Sequence, residues 1–142
     1  MTVDVKYSTN ANATGEGRNG IATLDDGGLT VTMASPKELG GSGKGHNPEE
    51  MFAVGYAACF LGAMRFAASS ENLGDVPADA KVHSEVGIGP RSDGGFGLTV
   101  KLKVALPGVD KAVAEMIVER GHVICPYSNA TSGNIDLETE QV

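Results

Sequence analysis

Fourteen consecutive residues near the middle of the chain, Met51–Met64, carry no charge at all. The segment before them is built to start a helix. Asn47 suits an N-cap, Pro48 suits the first helical position, and Glu50 completes a capping-box spacing from Asn47. Glu49 adds negative charge in the first turn, where the helix dipole favours it. The spacing predicts a helix from Pro48 to about Asn72, ending at Gly74. Its middle is apolar on every face, which predicts burial on every face. A membrane span needs about 20 apolar residues. The run is shorter and rich in Ala and Gly, so it reads as a core helix and no membrane partner is expected.

The chain has 142 residues, enough for one domain over 1–142 with a sizeable core. Aromatic residues are 5% and Trp is absent, so packing relies on Val, Ile, Leu, Met and Ala. The formal charge is −7 and Lys and Arg form no cluster, which argues against a nucleic-acid partner. Residues 1–7 lack the basic start and apolar run of a secretory signal. A cytoplasmic protein is expected, in which the two cysteines are reactive thiols and not a structural staple.

Val3, Val5 and Tyr7 alternate with polar residues and read as a strand. Ile21–Leu24 and Leu29–Met33 flank Asp25-Asp26-Gly27-Gly28, a hairpin signal. Pro36–Gly45 holds four glycines and reads as a loop. After the helix, Val82, Val86 and Ile88 follow period two, as do Leu98, Val100, Leu102, Val104 and Leu106. These form a second hairpin around a Gly- and Asp-rich turn. Asp110 caps a second helix with Val109, Val113, Met116, Ile117 and Ile124 on one face, and Ile135–Glu140 reads as a last strand. The order of elements predicts an α+β domain.

The two cysteines are Cys59, inside the apolar helix, and Cys125, which opens a turn-rich Cys-Pro-Tyr-Ser-Asn-Ala-Thr segment. A buried helical cysteine is most often a small hydrophobe. One thiol in a helix and one at a mobile junction nevertheless suggest redox chemistry by a thiol pair. Tyr127, Ser128 and Asn129 read as a turn that positions Cys125. His46, His83 and His122 are scattered without metal-ligand spacing, so neither a metal nor a cofactor is expected.

The chain resembles the organic hydroperoxide resistance proteins of the wider OsmC-like superfamily. The resemblance lies in Pro36-Lys37-Glu38-Leu39-Gly40-Gly41, Asn47-Pro48-Glu49, Gly55-Tyr56-Ala57-Ala58-Cys59-Phe60 and Cys125-Pro126-Tyr127-Ser128-Asn129-Ala130-Thr131, all in family order, and Gly17-Arg18-Asn19-Gly20 resembles the arginine-bearing loop. It implies the OsmC-like fold: antiparallel sheets wrapped around long central helices in an intertwined homodimer. It implies a thiol peroxidase that reduces alkyl and fatty-acyl hydroperoxides to alcohols, re-reduced by a lipoylated protein or another dithiol. Cys59 is then the peroxidatic thiol, Cys125 the resolving thiol, and Arg18 and Glu49 their supporting charges. Ser132 stands where the family usually carries Arg, and His46 and Glu50 also depart from its pattern.

The chemistry agrees with these residue types. A thiolate attacks peroxide, and burial opposes its formation. A fixed guanidinium offsets that, and a carboxylate holds its fork. Glu49 and Cys59 are ten positions apart on one helix, about 15 Å along its axis. Arg18 and Glu49 are therefore expected to serve the Cys59 of a partner chain. A broader-range OsmC-type peroxidase and a thiol sensor that oxidises once without turnover are the competing readings.

Overall fold

The computed structural model describes residues 1–142, which divide into two compact units, Met1–Met51 and Phe52–Val142. In the first, strands β1 (Ala11–Thr14), β2 (Ile21–Leu24) and β3 (Thr30–Thr32) form an antiparallel sheet in the order β1-β2-β3. The β2–β3 hairpin turns at the expected Asp25-Asp26-Gly27-Gly28, where the Asp26 carboxylate accepts from the Gly28 N–H at 2.7 Å. Lys37–Leu39 adds one turn of 3-10 helix to the expected loop.

The expected strand at Val3–Tyr7 does not form, and its three apolar side chains are exposed. Alternation stabilises a strand only when a neighbour supplies the ladder and a core takes the apolar face. No such neighbour exists for this segment within the chain. The strand that does form, β1, is built of small and polar residues, all exposed, with no large apolar side chain to announce it.

Helix α1 runs Pro48–Ser70, and Asn47 and Glu50 bond each other at its start. The Asn47 carbonyl oxygen of the side chain accepts from the Glu50 N–H at 2.9 Å, and the Asn47 amide donates to the Glu50 carboxylate at 3.1 Å. Burial of α1 departs from expectation. Tyr56, Phe60, Ala63, Met64, Ala67 and Ala68 are buried, a stripe at helical spacing. Val54 and Phe66 are 72% and 62% exposed. An all-apolar helix buries only as many faces as it has neighbours, and within one chain α1 covers one.

In the second unit β4 (Lys81–Pro90) and β5 (Phe96–Ala105) form the expected hairpin, with Val100 opposite Val86 and Leu102 opposite Ser84. Helices α2 (Lys111–Ile124) and α3 (Pro126–Thr131) follow, and β6 (Asp136–Gln141) then joins β5 in parallel. The sheets are otherwise antiparallel, as expected, and β6 is the one strand that runs parallel to its neighbour. A parallel neighbour requires a crossover long enough to return the chain, and α2 and α3 are that crossover. On α2 the buried residues are Ala114, Ile117, Val118 and Gly121, whereas Met116 is half exposed. Of the expected face, Ile117 is fully buried and Val109, Val113 and Ile124 pack against the core, joined by small Ala114 and Gly121.

One core fills this unit. Tyr56, Phe60 and Met64 of α1 meet Val100, Leu102 and Val104 of β5 and Ile117 of α2, all at most 2% exposed. Leu102→Ala is expected to lower unfolding free energy in urea by about 2–5 kcal/mol, because the cavity adds to the lost transfer energy. Lys103→Ala, one residue on and facing the other way, should change it by less than about 0.5 kcal/mol.

Candidate active site

The first unit holds a charge pair. Arg18 lies in the tight connection between β1 and β2, closed by a Gly20 N–H to Gly17 carbonyl bond of 3.1 Å. Gly20 is required by close approach, because a Cβ there would sit 1.8 Å from the Thr14 carbonyl oxygen. Asn19 fixes the far side, its side-chain oxygen accepting from the Ser35 N–H at 3.2 Å. The loop aims the guanidinium at Glu49, in the first turn of α1. Nη1 donates to Oε2 at 3.0 Å and Nη2 donates to Oε1 at 2.6 Å, a bidentate fork. Hydrogen bonding to Arg18 lowers the Glu49 carboxyl below its ordinary range, and the same bond raises the guanidinium still further. At neutral pH Arg18 and Glu49 are therefore both charged.

The second unit holds both thiols. Cys125 and Cys59 are free, and their sulfurs lie 3.6 Å apart. Cys59 sits one position off the buried α1 stripe and is half-buried, whereas Cys125 is fully buried. Burial chiefly raises the Cys59 thiol above its ordinary value, and the hydrogen bond from Cys125 adds to this; the Tyr127 backbone N–H works the other way.

The junction at Cys125 is a corner between two helices, hydrogen-bonded on both sides. Its N–H donates to the Gly121 carbonyl at 2.8 Å, ending α2, while its sulfur accepts from the Ser128 N–H at 3.5 Å and caps α3. Pro126 at the first position of α3 leaves Cys125 extended, which breaks α2 from α3 without a spacer. Tyr127, Ser128 and Asn129 are thus helical and not a turn, yet they do position Cys125. Tyr127 crosses α1 at Gly55, where a Cβ would lie 3.1 Å from its hydroxyl, and packs against Phe52 with ring centroids 5.8 Å apart.

An organic peroxide needs apolar side chains near the sulfur, but on α1 Phe60 and Met64 are fully buried core. Phe96 is 67% exposed at the start of β5. Met51 is partly exposed, and Phe52 is half-buried in the aromatic cluster. A surface groove of about 790 Å³ between the β4–β5 turn and the start of β6 includes neither thiol. Sequence reasoning also missed a polar cluster behind Cys125. The Tyr56 hydroxyl lies 2.9 Å from Ser128 Oγ, which lies 2.9 Å from His122 Nδ1. The one available signal was a tyrosine inside an otherwise apolar helix. A buried tyrosine hydroxyl seeks a polar partner.

Known proteins share this fold. A family model described as OsmC-like protein matches residues 41–140. An organic hydroperoxide resistance protein of Xanthomonas axonopodis pv. citri is 49% identical over 134 residues, covering 94% of this chain and 92% of that protein. The crystal structure of an organic hydroperoxide resistance protein from Legionella pneumophila has 40% sequence identity and a TM-score of 0.90, covering 97% of this chain and 98% of that one. That of OhrB from Bacillus subtilis has 37% identity and a TM-score of 0.85, over 97% and 100% of the two chains.

The fork makes a testable electrostatic statement. A carboxyl lowered by its partner contributes stability that is complete above the unfolded value, about 4.3, and is lost as pH falls through the lowered folded value. Arg18→Ala should move the Glu49 titration, followed by its carboxyl NMR shift, up to the ordinary range. An unmoved titration would show that the fork does not form in solution.

Proposed function

Because this chain belongs to the OsmC-like family, in its organic hydroperoxide resistance branch, we propose that it is a peroxidase that reduces organic hydroperoxides to alcohols through Cys59. The observation that carries this is the thiol pair: one half-buried sulfur and one fully buried sulfur 3.6 Å apart, with no bond between them. The accessible thiolate attacks the terminal peroxide oxygen, the O–O bond breaks, and the alkoxide leaves as an alcohol after taking a proton. Cys59 becomes a sulfenic acid. Cys125 then displaces hydroxide from that sulfur to give a Cys59–Cys125 disulfide. An external dithiol reopens it by exchange. The proposed donor is a lipoylated protein, and the proposed compartment is the cytoplasm, where such donors keep thiols reduced.

Cys59 needs a cation, since burial holds its thiol up. The Arg18 guanidinium, held by Glu49, is that cation in this reading and also stabilises negative charge on the leaving oxygen. On α1, Glu49 and Cys59 are separated by about 15 Å of rise. The reading therefore assigns each fork to the Cys59 of a second copy, in an intertwined homodimer. The exposed Val54 and Phe66 of α1 favour the same assembly, being large apolar groups without cover in one chain.

The first test is turnover with dihydrolipoamide, comparing tert-butyl hydroperoxide with hydrogen peroxide. Fast turnover that favours the organic peroxide and vanishes in Cys59→Ser is expected. Similar rates on both peroxides would instead indicate a broad-range peroxidase, and one stoichiometric oxidation without turnover would indicate a sensor.

Arg18→Ala should lower the peroxide reaction about a hundredfold, the scale of losing one transition-state donor. It should also shift the appearance of the Cys59 thiolate, followed by ultraviolet absorbance, to higher pH. Mixing Cys59→Ser chains with Arg18→Ala chains should restore activity well above either variant alone. No recovery in verified heterodimers would refute the shared site.

A further inference from the structure

His122 has no part in the chemistry above, yet it ties together the elements around the thiols. It lies in the last turn of α2, three residues before Cys125. Its Nδ1 is 2.9 Å from Ser128 Oγ on α3, and its Nε2 is 2.8 Å from Thr139 Oγ1 on β6. Its ring packs on Phe60, the neighbour of Cys59 on α1, with centroids 4.4 Å apart. Ser128 passes this anchorage to the sulfur, because its own N–H donates to Cys125 Sγ. A neutral imidazole has one donor nitrogen and one acceptor nitrogen, which suits two hydroxyls at once. Burial lowers the His122 pKa and so keeps the ring in that form.

We propose that His122 is a positioning residue for disulfide formation, its bridge from Thr139 to Ser128 holding α3 so that Cys125 meets the oxidised Cys59. This rests on the peroxidase reading above. In that step the Cys125 sulfur forms a bond to the Cys59 sulfur and the Cys59 S–O bond breaks. The departing hydroxyl takes the Cys125 proton and leaves as water, so no further oxidant or reductant enters. The sulfurs must close from 3.6 Å to a bond of about 2.0 Å. Cys125 is buried at a helix corner, so this approach depends on how α3 is held. Peroxide attack on Cys59 does not require that movement. An imidazole that only filled space would need neither hydroxyl.

His122→Phe keeps a ring against Phe60 and removes both hydrogen bonds. Ser128→Ala removes the hydroxyl and leaves the N–H on Cys125. A single turnover with tert-butyl hydroperoxide reads both steps, trapping the Cys59 sulfenic acid with dimedone and following the Cys59–Cys125 disulfide by non-reducing mass spectrometry. Both variants should lower the ratio of the second rate to the first by about three- to tenfold, the scale of one lost buried hydrogen bond. Excess peroxide should then drive Cys59 to sulfinic acid at concentrations the wild type tolerates. His122→Asn, which retains a polar group facing Ser128, should recover part of the ratio.

An unchanged ratio in both variants overturns the proposal, as does equal slowing of both steps, which marks general loss of structure. If His122→Phe does not fold, Ser128→Ala decides alone. If the wild type forms no Cys59–Cys125 disulfide, the resolving role of Cys125 fails, and this inference fails with it. A wild type that forms the disulfide beside variants with an unchanged ratio sinks the inference alone.

Discussion

The packing of one α1 stripe into the second unit governs most of what the chain does. Tyr56, Phe60, Met64 and Ala67 are fully buried at helical spacing, and their burial is the main favourable term holding the helix in place. Cys59 follows Tyr56 by three positions and so sits at the edge of the stripe. Turning the helix one way would bury the thiol in the core, and turning it the other would carry it away from Cys125. The half-buried setting of Cys59, with its raised pKa, follows from this angular position.

Cys125 reaches the same place by a different route. The chain must cross from β5 to a parallel β6, and α2 followed at once by α3 makes that crossing. The Cys-Pro step forces the break between the two helices, and the cysteine sulfur caps the second. A thiol that also caps a helix is held by the backbone around it, and the same geometry keeps water from it. Tyr56, Ser128 and His122 satisfy the polar groups this corner buries, as low-dielectric surroundings require.

The charge pair follows another logic. Arg18 and Glu49 need no core to be charged, and the fork between them is partly open to solvent. What the fold supplies is direction. A loop pinned by Gly20 and Asn19 presents the guanidinium to a carboxylate in the first turn of a helix. In the proposed homodimer that preorganised cation lowers the cost of forming a thiolate in an apolar setting.

Local rules made much of this legible from sequence. The helix start at Asn47, both hairpins, the helix after Asp110 and the break at Pro126 depend on residues close in the chain. Long motifs around Cys59 and Cys125 identified the family for the same reason, since each is a continuous segment. Tertiary structure alone decided the rest. Val3–Tyr7 lacks a strand because no neighbour supplies its ladder, and β6 runs parallel because the crossover ends there. Phe60 and Met64 are core because of how α1 is turned. His122 joined Ser128 and Thr139 unannounced, since its partners come from separate elements. Sequence determines which groups are present and what each short segment prefers; the distance between two sulfurs 66 positions apart is set only when burial of the α1 stripe fixes the elements that carry them.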